Sequence, residues 1–240
     1  MSLIMFIGCE SQPPEEIVLH ASLQPHYLLI QSGKTGSARV QLRQHMNEHG
    51  ESSQSSFLMG FSYHKEKRYT KAVEWMNLSV SETFRDAWYP PTWHFLGWSY
   101  YYLGEAQHSK HAFETYLGFD PEEGDTLFGL GLLALDAGEL EVAKSLFHRS
   151  IAAQSENSKG IAKAMSRLGD TLAMQNELLE ARQMYVQAVD LDNNLYESWF
   201  RLASTYDPIE ESAEREEALQ KSIEAKKRFD ASTHDTRFPE

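Results

Sequence analysis

The sequence predicts an all-α fold in which helix-turn-helix repeats follow one another along the chain. Residues 90–121 (PPTWHFLGWSYYYLGEAQHSKHAFETYLGFDP) carry apolar side chains at helical spacings of three and four on both sides of a glycine. The glycine at position 97 also recurs along the chain at intervals of about 34 residues. Gly60 to Gly97 spans 37 residues, Gly97 to Gly131 spans 34 and Gly131 to Gly169 spans 38. A period of this length is typical of an array of helical hairpins.

The central stretch shows how one hairpin is specified. Pro91 favours a helix start, because proline lacks the N–H that the first turn would leave unpaired. Gly104 is expected to end this helix in a left-handed conformation, which costs glycine nothing. Asp120 should end the second helix, since the residue before a proline such as Pro121 is pushed out of the helical region. The missing side chain at Gly97 would let the two helices approach closely.

This stretch resembles the tetratricopeptide repeat. The residues that match its pattern are Trp93, Leu96, Gly97, Tyr100, Phe113 and Pro121. Two positions of the second helix depart from it, because Ser109 stands where alanine is usual and Tyr116 where a small residue is usual. The resemblance implies a right-handed superhelical solenoid in which the first helix of each repeat lines a concave groove.

Applied along the chain, the pattern predicts one degenerate repeat and five better ones between residues 18 and 229. Their expected bounds are 18–52, 53–86, 90–123, 124–157, 162–195 and 196–229. Pro25 should kink or shorten the first helix of the degenerate repeat, and Gly33 and Gly36 should bracket its turn. Asn176 replaces the turn glycine of the fifth of these segments, which asparagine tolerates.

Two stretches are expected to lie outside the regular pattern. The polar insertion at residues 157–161 has the composition of a surface loop. In the last repeat the second helix should run from about residue 210 to 229 with Ala218, Leu219, Ile223 and Ala225 facing inward. Residues 230–240 show no periodicity and are expected to form a loose tail.

Composition excludes several classes of function. The net charge is −13, so no long-range field favours nucleic acid or an anionic membrane surface. No run of 18 apolar residues is present, which excludes an internal membrane-spanning helix. Cys9 is the sole cysteine, so no intramolecular disulfide can form.

The N-terminal residues 1–17 allow two interpretations. Phe6, Ile7, Gly8 and Cys9 resemble the end of a bacterial lipoprotein signal, which implies lipidation of Cys9 and a location in the cell envelope. No lysine or arginine precedes the apolar run, which is shorter than the roughly 7 to 15 residues of a signal. A start site placed too far downstream would explain both departures. The alternative is a frayed N-terminus on a cytoplasmic protein.

No constellation of catalytic residues emerges, so the sequence predicts a protein that is not an enzyme and needs no cofactor. Residues 33–35 (GKT) lack the earlier glycine of a phosphate-binding loop. Two histidine pairs have helical spacing, His45 with His49 and His108 with His111. Neither is accompanied in sequence by a cluster of other ligands, so solvated side chains are expected rather than a metal site.

The feature that points to function is a second stripe on the first helices, beside the core stripe. The candidate groove residues are Phe57, Phe61, His64, His94, Trp98, Tyr101, Tyr102, Phe128, Leu132 and Leu135. In the following repeat the corresponding residues are Ser166, Asp170 and Ala173. The groove is therefore predicted to be aromatic in its first half and polar beyond.

Three explanations of the stripe remain open. The N-terminal helix or the tail could cover it, since exposed apolar patches are unfavourable. A partner protein or peptide could bind there, with Phe61, Trp98 and Tyr101 as anchors, or the chain could self-associate. The lysine and asparagine clamp of repeats that bind chaperone tails is absent. We expect a binding scaffold, either lipid-anchored or acting as a cytoplasmic assembly factor or helper subunit of an enzyme complex.

Overall fold

All regular structure described in this protein is helical. The computed structural model describes residues 19–87, 89–154 and 157–234. Within them lie twelve α-helices, two short 3₁₀ segments and no strand, which confirms the predicted all-α fold. The chain divides into two compact units, an N-terminal unit Met1–Ser99 and a C-terminal unit Tyr100–Glu240. The boundary lies within the fifth helix.

The N-terminal unit contains the degenerate repeat and the first regular one. After a 3₁₀ segment at Ala21–Leu23, the helices are α1 (Gln24–Gln31), α2 (Thr35–His49), α3 (Ser53–Lys65) and α4 (Tyr69–Ser79), followed by a 3₁₀ segment at Glu82–Ala87 and the start of α5 (Pro91–Leu103). The helices α1 and α2 pack as one antiparallel pair, and α3 and α4 as another. Pro25 is the second residue of α1, which has eight residues against thirteen in α3.

The C-terminal unit holds the end of α5 and seven further helices. These are α6 (Ala106–Leu117), α7 (Gly124–Asp136), α8 (Leu140–Ala153), α9 (Ser158–Met174), α10 (Leu178–Leu191), α11 (Tyr196–Ser204) and α12 (Ser212–His234). The pairs α7 with α8, α9 with α10 and α11 with α12 are hairpins, and α8 packs on α9 and α10 on α11. In each hairpin we call the earlier helix the first helix.

The turns inside the first five hairpins contain a residue in the left-handed conformation. A residue with positive φ stands in the turn of every described hairpin except that of α11 and α12, namely Gly33, Lys67, Gly104, Gly138 and Asn176. In the third of these, the Gly104 N–H donates to the Tyr101 carbonyl and the Glu105 N–H to the Tyr100 carbonyl, at 3.0 and 2.9 Å. The second of these bonds is the 6→1 bond of a Schellman motif, which satisfies the last carbonyl groups of a helix. The left-handed turns predicted at Gly104 and Asn176 are confirmed.

Close helix packing explains the recurring glycine. A Cβ atom at Gly131 would lie 2.6 Å from the Phe147 ring, and one at Gly169 would lie 2.7 Å from the Tyr185 ring. Phe147 is fully buried in the core of the C-terminal unit. A large side chain of the second helix therefore occupies the space that glycine leaves on the first.

Several predicted boundaries differ from the structure. Gly36 does not belong to a turn but lies inside α2. The helix α6 ends at Leu117, three residues before Asp120, because the N–H of Gly118 turns back to the Thr115 carbonyl. Such i→i−3 bonds tighten the last turn of a helix.

The insertion at residues 157–161 is mostly helix rather than loop. The side chain of Asn157 accepts a hydrogen bond from the Gly160 N–H at 3.1 Å and so caps α9, which begins at Ser158. The inserted residues therefore add a turn to the helix, and α9 reaches 17 residues.

The last helix continues past the predicted end. The helix α12 runs to His234, and a Lys226–Asp230 ion pair of 3.0 Å supports the part that was expected to be a loose tail. Ile223 is 51% exposed, contrary to expectation, whereas Ala218 and Ala225 are buried. Ser222 faces inward in its place, and its hydroxyl donates to the Tyr196 carbonyl at 2.7 Å.

Candidate protein-binding surface

In the N-terminal unit the predicted groove residues form a packed aromatic cluster. Phe57 and Phe61 stack on each other along α3 with ring centroids 5.6 Å apart. They are only 2% and 3% exposed. Tyr27 of α1 covers Phe61 at 6.0 Å, and Phe95 of α5 lies 4.7 Å from the same ring.

The same cluster continues at its other end. Tyr89 lies 4.9 Å from Phe57, and burial raises the pKa of the Tyr89 phenol. Phe57 and Phe61 are candidate groove residues, and coverage by the N-terminal helix is one of the three explanations left open for the stripe. The helix α1 and the segment before α5 cover both rings, because burying them removes apolar surface from water. A partner could contact these two rings only if they left this packing.

His64 is part of the same packing and is held as a neutral imidazole. Its Nδ1 lies 2.9 Å from the Ser99 hydroxyl, which itself donates to the Phe95 carbonyl at 2.7 Å. Ser99 must therefore accept from His64, so the ring proton lies on Nδ1. Burial, with smaller contributions from His94 and Lys65, lowers the pKa of His64 to about 4.

The two remaining candidates of this unit differ in exposure. Trp98 is 8% exposed and so is a buried residue rather than an accessible anchor. His94 is half-buried, and its ring lies edge-on to Phe95 with centroids 4.8 Å apart. In the N-terminal unit the stripe therefore stabilises the fold.

The candidates of the C-terminal unit are more accessible. Tyr101 is half-buried and Tyr102 is 53% exposed, with their rings 5.7 Å apart at the end of α5. Burial raises the pKa of both phenols, with a further contribution from Asp136 at Tyr101 and from Asp125 at Tyr102.

On α7, the three predicted residues pack at the margin of the core. Phe128, Leu132 and Leu135 are partly buried against the core cluster of the C-terminal unit. The Phe128 ring lies 5.8 Å from that of Phe147. Each of the three therefore shares its surface between the core and solvent.

Beyond α7 the first helices carry a charged cluster centred on Asp170. Its carboxylate accepts from Arg167 at 3.0 Å, from Arg201 at 2.6 Å and from the Tyr185 hydroxyl at 2.8 Å. Glu197 of α11 adds an ion pair of 3.7 Å with Arg167. Burial and the Asp170 carboxylate raise the pKa of Tyr185.

Two exposed apolar residues accompany this cluster. Met174 follows Asp170 by four residues on α9, and Phe200 follows Glu197 by three residues on α11, so each lies beside a charged residue of the cluster. Both side chains are 60% exposed. Sequence reasoning expected a polar surface here and missed them, although the helical spacing from Asp170 could have indicated Met174.

Arg167 also connects the charged cluster to α5. Arg167 and Asp136 both interact electrostatically with the Tyr101 phenol. The first helices of the C-terminal unit thus share one face, which we call the first-helix surface. It comprises Tyr101, Tyr102, Phe128, Leu132, Leu135, Arg167, Asp170, Met174, Phe200 and Arg201.

The fold and this surface define a class of protein, a helical-repeat protein in which a left-handed turn recurs in all but the last of the described hairpins. The tetratricopeptide repeat model matches residues 96–158 and 128–196, and a second model of the same description matches residues 196–229. Together they span residues 96–229, more than half of the chain. The chain belongs to the tetratricopeptide repeat family.

Solved structures share the fold. A structure described as the functional characterization of Pseudomonas aeruginosa pilF aligns with a TM-score of 0.71 at 18% identity, over 88% of this chain and 96% of that one. The C-terminal part of a repeat protein from Cytophaga hutchinsonii aligns with a TM-score of 0.65 at 14% identity, over 85% and 78% of the two chains.

A third structure is described as YrrB, a repeat protein with an unusual peptide-binding site. It aligns with a TM-score of 0.59 at 17% identity, over 82% of this chain and 98% of that one. These similarities confirm the predicted fold class, the all-α solenoid of tetratricopeptide repeats. No curated protein sequence matches the chain. Of the helices in the described part of the chain, none is long and apolar enough to cross a membrane.

Proposed function

We propose that this protein is a non-catalytic scaffold that binds a segment of a partner protein on the first-helix surface of its C-terminal unit. The observation that carries the proposal is the exposure of Tyr102, Met174 and Phe200, at 53%, 60% and 60%, beside a charged cluster. Aromatic side chains flanked by arginine are typical of the residues that dominate binding energy at interfaces. Solenoid repeat proteins bind partners on extended concave surfaces, and the family resemblance implies that the first helices line that surface.

The charged cluster adds selectivity to this surface. Arg167 and Arg201 both point to Asp170, which neutralises part of their charge and holds their side chains in place. Each arginine has five N–H donors, so donors beyond those that face Asp170 and Glu197 can pair with a carboxylate or carbonyl group of the partner. We infer that the bound segment places apolar residues near Tyr102 and Phe200 and hydrogen-bond acceptors near the arginines.

A Tyr102→Ala, Phe200→Ala double variant should fold and lose the partner. Each ring is at least half exposed, so its removal leaves the core intact, while truncation of an aromatic anchor weakens binding by about tenfold or more. The measurement is quantitative mass spectrometry of proteins that co-purify from the native organism, with helicity checked by circular dichroism.

The matched control is a Val142→Ala, Leu179→Ala double variant. These residues are 49% and 69% exposed but lie on the second helices α8 and α10. The control should retain the partner. If both variants lose it equally, or both keep it, the first-helix surface is not the binding site.

The location that we propose is the cell envelope, with a lipid on Cys9. This rests on the resemblance of residues 6–9 to a lipoprotein signal, and Cys9 lies outside the described residues. Metabolic labelling with a palmitate analogue should mark the wild-type protein, and Cys9→Ala should abolish the label and shift the protein out of the membrane fraction. An unlabelled protein in the soluble fraction would instead support a cytoplasmic assembly factor or helper subunit.

A further inference from the structure

Histidine side chains from separate segments converge in the N-terminal unit. His45 and His49 lie one turn apart at the C-terminal end of α2, with ring centroids separated by 4.6 Å. His26 of α1 packs edge-on to His45 at 5.7 Å. His20, which precedes α1, lines one pocket together with His45 and His49. Only the first pair is visible as a helical spacing in the sequence.

We propose that His45 and His49 chelate a divalent transition-metal ion of the class that includes Zn²⁺ and Ni²⁺. Neutral imidazole is a preferred ligand of these ions. With metal–nitrogen bonds of about 2.0–2.1 Å, two rings on one ion have centroids about 4.5–5.2 Å apart between square and tetrahedral angles. The observed 4.6 Å lies in this range without rearrangement of the helix.

His26 is the third ligand in this proposal. The ring centroids of His26 and His45 lie 5.7 Å apart, which exceeds by about 0.5 Å the range for two rings on one ion. A small rotation of either ring removes this difference. The Nδ1 atom of His26 is buried without a hydrogen-bond partner among the described residues, and a metal ion would supply that partner. The ring also has a side-chain hydrogen bond with Gln41. No three His, Cys, Asp or Glu side chains in the described ranges already converge on one metal position. The pair therefore forms the primary chelate, and His26 joins it on binding.

The charges around the pair favour a cation. Glu48 lies 3.9 Å from Nε2 of His49, and Glu51 lines the adjoining pocket. The C-terminal end of α2 adds the partial negative charge of its unpaired carbonyl groups. A divalent ion bound here is thus stabilised by two nearby carboxylates and a helix end.

The site also has room for the remaining ligands. The pocket next to His45 and His49 has a volume of about 560 Å³, and its lining combines the apolar side chains of Leu23 and Phe84 with polar residues such as Ser52 and Gln54. Water molecules can occupy it and complete a tetrahedral or octahedral shell. The site is independent of the first-helix surface, which belongs to the C-terminal unit.

The test is calorimetric titration of the tag-free full-length chain with ZnCl₂ and with NiCl₂. The wild-type protein should bind one ion per chain, and EDTA should reverse the binding. A His45→Gln, His49→Gln variant should weaken binding at least about tenfold, and His26→Gln should weaken it several-fold. Both variants should keep wild-type helicity by circular dichroism, because His26 and His45 are half-buried and His49 is exposed.

The control uses the other helically spaced pair, His108 and His111 on α6. A His108→Gln, His111→Gln variant should bind as tightly as the wild-type chain. The proposal is overturned if the wild-type chain binds neither ion, or if this control loses binding as strongly as the His45→Gln, His49→Gln variant. Unchanged binding by His26→Gln would overturn the assignment of the third ligand.

Discussion

Gly131→Ala should lower the free energy of unfolding by about 1–3 kcal/mol, the range for overpacking a filled core. The added Cβ atom would lie 2.6 Å from Cε1 and 2.8 Å from Cδ1 of Phe147, closer than such contacts occur. Phe147 is fully buried among the core residues of the C-terminal unit, so its ring cannot move aside freely. Chemical denaturation of the two proteins measures the difference.

A double-variant cycle separates overpacking from a general loss of stability. Phe147→Leu alone should destabilise the protein by leaving a cavity. The Gly131→Ala, Phe147→Leu double variant should lose less free energy of unfolding than the sum of the losses of the two single variants, because the new methyl group occupies space that the ring vacated. Gly36→Ala is the control, since its added Cβ meets only the Arg39 side chain at 4.0 Å inside a helix. Gly36→Ala should be neutral or slightly stabilising. If the effects of Gly131→Ala and Phe147→Leu simply add, the packing argument is contradicted.

The stability of the protein should fall between pH 7 and pH 5 by about 2 kcal/mol through His64 alone. The pKa of this side chain is lowered from 6.5 to about 4, so the folded protein holds it neutral while the unfolded chain becomes protonated. Between these values the unfolded state binds more protons. Stability is therefore fully present above pH 6.5 and is lost as the pH falls toward 4.

His64→Phe tests this pH dependence. Phenylalanine keeps the ring contacts with Phe95 and Tyr69, and the Ser99 hydroxyl still donates to the Phe95 carbonyl. Denaturation at pH 7 and pH 5 should show a smaller loss of stability for this variant than for the wild-type chain, by about 2 kcal/mol. His108→Gln, at a side chain that is 65% exposed, should retain the full pH dependence. Equal losses in all three proteins would show that His64 does not titrate as described.

Most of the fold was predictable because its signals are local. A helix is specified by apolar residues three and four apart, and a hairpin turn by a residue that tolerates positive φ. Gly104 and Asn176 fulfil this requirement as predicted, whereas Lys67 has a φ of 59° in the equivalent turn and gives no such signal in the sequence. The ends of α6 and α12 were misplaced, because neither Pro121 nor the loss of periodicity after Phe229 marks where the backbone hydrogen bonds stop.

The candidate site was only partly predictable. The sequence identified a stripe of aromatic residues on the first helices but could not tell which of them are accessible. Phe61 is buried because Tyr27, 34 residues earlier in the chain, stacks on it. Met174 and Phe200 remain 60% exposed beside the charged cluster of Asp170. Exposure depends on what packs above a residue, and periodicity within one helix contains no information about that.

The sequence by itself determined the all-α repeat fold and the membership of the tetratricopeptide family, because both depend on residues within one turn or one hairpin of each other. The tertiary structure alone decided that Phe57 and Phe61 are core, that Arg201 meets Asp170, and that His26 reaches His45. These outcomes are contacts between different helices. They follow from the way the helices pack, which brings together side chains that the linear pattern leaves unrelated.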